Sequence, residues 1–182
     1  EELTVSVFRS QISAALFEGI TKIVRGFTAA SLLVETFSLA AYVTLRNRTD
    51  GKDNFLFVTI GNEVSEVSLV RQGVLLETVS FPFGKYSLAR AVANKLSCAP
   101  EEALSRVSLL YDKKLRPSEA VALLPILEGA QAEWFSYLEK ALVNVAEETS
   151  LPGDIYIIVD TELKDIFGGV VTNPGFASQT LV

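Results

Sequence analysis

Three apolar runs separated only by turn residues constrain this chain more than any other feature. Phe55–Ile60 comes first, residues 64–70 lie beyond the Gly61-Asn62 turn, and Val74–Phe81 lies beyond the short connection Arg71-Gln72-Gly73. Connections this short join antiparallel neighbours, whereas a parallel pair needs a crossover of a dozen or more residues. A three-stranded meander is therefore expected. The first run lacks polar alternation, as a strand covered on both faces does. Pro82-Phe83-Gly84 stops the third strand, and Leu88, Val92 and Leu96 then mark a helix.

Beyond the meander, the chain alternates between helical and strand signals. Residues 100–110 read as a helix with Pro100 in its first turn and Glu101-Glu102 at the positive end of the helix dipole. Residues 118–148 read as a long helix whose apolar stripe is Leu127, Trp134, Phe135, Leu138, Leu142 and Val145. Pro125 is expected to kink this helix or mark its true start. Pro152-Gly153 breaks it, residues 155–159 read as a buried strand, and Thr161 is expected to cap a short helix through Phe167. Gly168-Gly169 is expected to end that helix, with residues 177–182 as a last strand. The order β-β-β-α-(α)-α-β-α-β predicts an α/β, ribonuclease H-like subdomain over residues 47–182: a mixed five-stranded sheet with flanking helices.

The first 46 residues read differently. Leu3, Val5 and Val7 alternate as in a strand. Ser10 offers an N-cap, and Ile12, Leu16, Ile20, Ile23, Val24 and Phe27 recur at helical spacing up to a terminating Gly26. Residues 30–34 read as a second strand, residues 37–45 as a second helix, and the polar stretch 46–54 as a linker. This β-α-β-α segment, residues 1–46, is too small to close a core of its own. It is expected to be the C-terminal part of a preceding subdomain. The chain contains no methionine and begins Glu1-Glu2-Leu3, so it reads as a piece of a longer protein.

Composition removes several classes of function. Of 182 residues, 49% are apolar and 21% charged, which is globular rather than disordered. The net charge is −6 and no basic run exceeds two residues, so no nucleic-acid partner is expected, and an acidic surface disfavours anionic lipid. One cysteine and no histidine exclude an intrachain disulfide, a Cys/His zinc cluster and every histidine-based triad. Cys98 reads as a small packing residue. With no disulfide and no visible signal peptide, the cytoplasm is the expected location. The most apolar stretch, residues 29–45, is interrupted by Glu35 and falls short of the roughly 20 residues that a membrane span needs.

The stretch from Phe55 to Lys95 resembles the second half of FtsA and PilM, bacterial relatives of actin. In those families a strand ends in Asp-x-Gly-x-x-x-(Thr/Ser), two strands follow around a Gly hairpin, and the third ends in Pro-(Phe/Tyr/Ile)-Gly-Gly before a helix. Gly73, the Pro82-Phe83-Gly84 corner and the Leu88 helix fall in the matching places. Residues 20–42 resemble the strand and alanine-rich helix that lead into that motif, and residues 155–159 the strand that runs into a glycine-rich nucleotide loop. The resemblance covers nearly the whole chain, with no motif intact. The short stretch between the Leu88 helix and the long helix leans towards PilM.

The resemblance implies a nucleotide site, and the departures imply its decay. The metal-organising aspartate is replaced by Thr59. Gly61 is retained, Asn62 and Glu63 are bulky in the turn, and Ser65 stands at the hydroxyl position. Gly61, Asn62, Ser65 and Gly84 are thus the candidate, degenerate phosphate-loop positions, with turn and strand chemistry alone as the plainer reading. A neutral hydroxyl anchors Mg²⁺ more weakly than a carboxylate does. Glu63 is expected to repel a polyphosphate, since two unit charges about 4 Å apart repel by about 4 kcal/mol at an effective dielectric of about 20. Where the families carry Gly-Gly-Gly, this chain has Val159-Asp160-Thr161-Glu162, whose side chains would crowd a base and ribose. No catalytic residue, metal ligand or cofactor is expected, and nuclease chemistry lacks its first-strand carboxylate. Asp160 and Asp165 read either as surviving carboxylates or as helix-end and surface charges.

The remaining charged clusters are weak signals. Glu101-Glu102 and Glu147-Glu148 read as helix-end and solvated charges. Lys113, Lys114 and Arg116 form the one basic cluster, either a solvated loop or a contact for an acidic partner. The resemblance implies a non-catalytic adaptor on the cytoplasmic side of a membrane-associated assembly (type IV pilus or cell-division machinery), with protein partners and self-association open. The alternative is an ATP- and Mg-binding protein whose site is completed by an N-terminal half.

Overall fold

The computed structural model describes residues 7, 11–28, 32–49, 51–146 and 150–171. The chain divides into two compact units, residues 1–52 and 53–182. The expected strands at residues 3–7 and 177–182 and the Glu147-Glu148 pair lie outside the described residues, apart from Val7.

The first unit contains α1 (Ala14–Arg25) and α2 (Phe37–Arg46). Ser13, not Ser10, stands at the N-cap position of α1 and makes no side-chain cap bond. Gly26 ends the helix at φ −69°, in the right-handed region, so no left-handed conformation demands a glycine there. Of the expected strand at residues 30–34, the described part, residues 32–34, belongs to no strand. Helix α2 is capped by Thr36, whose Oγ1 accepts from the Leu39 amide at 3.4 Å.

The second unit runs β1 (Phe55–Ile60), β2 (Ser65–Arg71), β3 (Val74–Phe81), α3 (Lys85–Leu96), α4 (Pro100–Tyr111), α5 (Pro117–Ala146) and β4 (Ile155–Ile158). A single 3₁₀ turn (Thr161–Leu163) then leads into α6 (Lys164–Val171). The described residues form a four-stranded sheet in the order β3-β2-β1-β4, and the fifth strand expected, residues 177–182, lies outside them. Strands β1, β2 and β3 pair antiparallel and β4 joins β1 in parallel, which is the mixed topology the element order requires.

Local chemistry explains the meander. The β2–β3 hairpin places Gln72 at φ 49° and Gly73 at φ 67°, the two positive values of a type I′ turn. Only Gly73 is sterically at ease there, and a Cβ on it would come within 3.1 Å of Asp53 Oδ1. The hairpin is fastened to the segment before β1: the Gln72 amide donates to Asn54 Oδ1 and the Gly73 amide to the Asp53 carbonyl.

Every residue of β1 is buried. The register places Leu56, Val58 and Ile60 on one face with Val67 and Leu69 of β2, and this face meets the helical core. Phe55, Phe57 and Thr59 lie on the other, beside Val70, Ser68 and Glu66. Helix α5 covers the first face with Leu123, Leu127, Trp134, Leu138 and Leu142. Pro125 does not begin this helix; α5 runs from Pro117 through it to Ala146. The ring removes the amide that would bond the Val121 carbonyl, and Val121 is 70% exposed, so water can serve that oxygen.

Two corrections concern the C-terminal elements. Asp160, not Thr161, holds the N-cap position of the 3₁₀ turn. Gly168-Gly169 does not end the last helix, which continues to Val171. Glycine lowers helix propensity by about 1 kcal/mol without forbidding the helix, and Ile166 and Phe167 are anchored in the core.

Candidate functional site

The parallel neighbours β1 and β4 end on the same side of the sheet. In open α/β sheets the crevice beyond the carboxyl ends of the strands is where ligands bind. Here its walls are the turn 61–64 after β1 and the segment 159–163 after β4, with the start of α3 between them.

Gly61, Asn62 and Gly84 converge at this corner. The Lys85 amide donates to the Gly61 carbonyl at 2.9 Å and the Tyr86 amide to the Asn62 carbonyl at 2.8 Å. The Ser87 amide donates to the Gly84 carbonyl, and the Gly84 amide to Ser87 Oγ. The first amides of a helix normally lack partners and readily bind phosphate. In this helix they are committed to the chain's own oxygens. Gly84 is required by close approach: a Cβ there would lie 2.6 Å from both the Gly61 and Asn62 carbonyl oxygens.

Ser65 reaches that corner only from the core side, at the peptide that precedes Gly84. It pairs with Ile60 and Thr59 pairs with Glu66, so Ser65 and Thr59 occupy opposite faces of the sheet. The fully buried Ser65 Oγ donates to the Phe83 carbonyl at 2.6 Å and accepts from the indole Nε1 of Trp134 at 3.1 Å. Removal of such a hydroxyl would orphan a buried donor and acceptor, each at a cost of about 1–3 kcal/mol. Thr59 is 3% exposed, and its Oγ1 makes a long contact of 3.5 Å to Glu66 Oε2.

The charges at the corner are paired. Glu63 does not stand as a bare charge: Arg90 reaches it with two nitrogens at 3.1 and 2.8 Å, and that hydrogen-bonded guanidinium holds its carboxyl below the usual range. Lys85, one residue after Gly84, sends its ammonium to Asp160 Oδ2 at 2.8 Å and Glu162 Oε1 at 3.5 Å. The bond to Asp160 is the main cause that raises the lysine above its ordinary value. Asp160 is therefore a partner of Lys85, whereas Asp165 is an exposed residue in the first turn of α6.

Sequence reasoning overlooked Lys85, Arg90 and the Trp134–Ser65 bond. A signal existed for the first. A lysine at the first position of a helix opposes the dipole, which favours acids there, so it needed an anionic partner. Trp134 gave a weaker one, because a buried indole N–H needs an acceptor.

The other sequence candidates have ordinary surroundings. Cys98 is partly buried against the core. Glu102 pairs with Arg106 one helical turn on, Lys114 with Asp112, and Arg116 with Glu119. Among the described residues no group of three or more Cys, Asp or Glu side chains is placed to hold a metal ion. No described helix is long and apolar enough to cross a membrane. The corner does not fit a Mg-triphosphate: the amides are committed, both cations are paired, and the β1 position for a metal-anchoring acid holds a buried threonine.

No family model and no curated protein matches the chain. Solved structures do resemble it. One is PilM, from a PilM–PilN type IV pilus biogenesis complex, at 18% identity over 84% of this chain and 45% of that one, with a TM-score of 0.60. Another is the ethanolamine utilization protein EutJ from Carboxydothermus hydrogenoformans, at 17% identity over 66% of this chain and 44% of that one. Its TM-score is 0.45. The chain spans less than half the length of either protein. The likeness to PilM is one of fold, and the fold is actin-like, of the ribonuclease H type.

Proposed function

We propose that this chain is a non-catalytic, actin-like module that serves as a protein-binding adaptor. The carrying observation is the α3 corner, where the amides that would hold a phosphate are bonded to the Gly61 and Asn62 carbonyls. A fold kept with its ligand corner filled by its own groups is a shape for partners rather than a site for chemistry. PilM occurs in a complex with PilN, and by analogy of fold the partner class is a component of a membrane-associated assembly such as a type IV pilus or division apparatus. In that setting the chain works at the cytoplasmic face without crossing the membrane itself.

The test is calorimetric titration of this chain with Mg-ATP, with Thr59→Asp as a comparator. A ligand that binds only the folded state must also raise thermal stability, which supplies an independent readout. Neither heat nor a thermal shift is expected at millimolar nucleotide. Saturable micromolar binding by the unaltered chain would favour an ATP-holding protein instead.

A further inference from the structure

We infer that two copies of this chain associate through the outer edge of β3, residues 77–81 of one copy lying antiparallel to the same residues of the other. The inference goes beyond the adaptor reading and does not depend on the corner beyond β1 and β4.

Strand β3 ends the sheet among the described residues, with β2 as its neighbour on one side only. Its other side presents backbone N–H and C=O groups with no strand to receive them, and such an edge pairs readily with another chain. Sheets guard their edges with lysine, proline, brevity or a bulge. Strand β3 is the longest of the described strands, and residues 77–81 contain neither lysine nor proline. Its bulge lies upstream: Leu76 has no partner on β2, whereas the register from Glu77 to Phe81 is regular. The open edge is therefore residues 77–81.

The side chains there favour a second copy as the occupant. Glu77, Val79 and Phe81 pair with Leu69, Val67 and Ser65, so they share the face that α5 covers. Glu77 is exposed and makes no ion pair among the described residues. On α5, Tyr137 stacks on Phe81, with ring centroids 5.9 Å apart and planes within 7°. The Lys140 ammonium lies 5.7 Å from the centroid of the Tyr137 ring. Lys140 likewise has no acid as partner among the described residues, and Ser136 and Asn144, one helical turn to either side, are uncharged. Each copy thus carries an unpaired acid at one end of the open edge and an unpaired cation at the other. That pattern is complementary to itself under a two-fold rotation, as an isologous interface requires.

Pairing centred on Val79 sets Glu77 opposite Phe81 of the second copy, beside the Tyr137 and Lys140 that lie over that ring. Directly opposed Cβ atoms of an antiparallel pair are about 5 Å apart, and both charged side chains are long enough to close the remaining gap. The two reciprocal Glu77–Lys140 pairs form together. Centring on Glu77 instead would oppose two carboxylates, which is destabilising. On the other face Thr78 comes opposite Ser80 of the second copy, extending the hydroxyl contact that Thr78 already makes with Ser68 at 2.9 Å.

Sedimentation equilibrium of this chain tests the pairing. A monomer–dimer equilibrium in the micromolar range is expected, as suits a short shared edge. Glu77→Lys and Lys140→Glu, each alone, set like charges against one another and are expected to weaken the dimer by at least about tenfold. The two together reverse the pair and are expected to restore the unaltered affinity to within about threefold. Both positions are exposed, and thermal unfolding of each variant verifies its fold. A chain that stays monomeric at several hundred micromolar overturns the inference and leaves the edge to an extended segment of another protein. A dimer that neither single substitution weakens, or that the double variant fails to restore, overturns this edge as the interface. Failure of the adaptor reading would appear elsewhere, as Mg-ATP binding by the unaltered chain.

Discussion

Gly84 is the residue on which the corner turns. Its Cα carries no side chain because two carbonyl oxygens occupy the space, both 2.6 Å from where a Cβ would be. Both oxygens are backbone atoms held by helix amides, so neither can move aside cheaply. Gly84→Ala is therefore expected to destabilise the chain by about 1–3 kcal/mol, the usual range for overpacking, as read from urea unfolding. An unchanged midpoint would mean that the corner is looser than these distances imply. The sequence identified Gly61 and Gly84 as special without revealing why. A glycine that admits a phosphate and one that admits the chain's own carbonyls look the same until the neighbours are placed. Ser65 shows the opposite limit. Its place two residues after Glu63 invited a role in a phosphate loop, and only the strand register turned it into the core towards Trp134.

At the scale of elements, the meander was legible because each strand is a run of strand-forming residues with turn chemistry at both ends. The hairpin residue Gly73 and the Pro82-Phe83-Gly84 corner that ends β3 were legible from the same signals. Helix α5 was legible in extent, and of the two readings of Pro125 the structure removes the helix start. The cost of an interior proline depends on whether water reaches the freed carbonyl, which sequence does not show. The beginning of α5 also carries a pH signature. The Arg116 hydrogen bond holds Glu119 down at about 2 from an ordinary 4.5. A depressed folded-state value stabilises the fold above the unfolded value, and that contribution is lost as the pH falls through the folded one. The stability gap between the unaltered chain and Glu119→Gln is thus expected to be constant above pH 5 and to close between about pH 4.5 and 2. Urea midpoints across that range measure it, and a gap independent of pH would refute the pairing. The pair stands near the surface, so the gap will be small.

At the scale of the whole molecule, the order of elements predicted a ribonuclease H-like second unit, and the four strands described take the expected places in one mixed sheet. The candidate site was less legible. Sequence alone singled out Gly61, Asn62 and Gly84, and the departures from the family pattern led it to expect altered ligand chemistry there. It did not show that the chain's own atoms complete it, because that depends on contacts between α3, the turn after β1 and the segment after β4, which are far apart in sequence. The proposed adaptor reading depends on that completion.

The most direct measurement is native-state amide hydrogen exchange at Lys85 and Tyr86. The first amides of an ordinary helix lack partners and exchange freely. Here both are bonded to carbonyls of the β1–β2 turn, so protection approaching that of the β1 amides is expected, unchanged by Mg-ATP. Exchange at the rate of an open helix start, or protection that appears only when nucleotide is added, would contradict a corner filled by the chain itself.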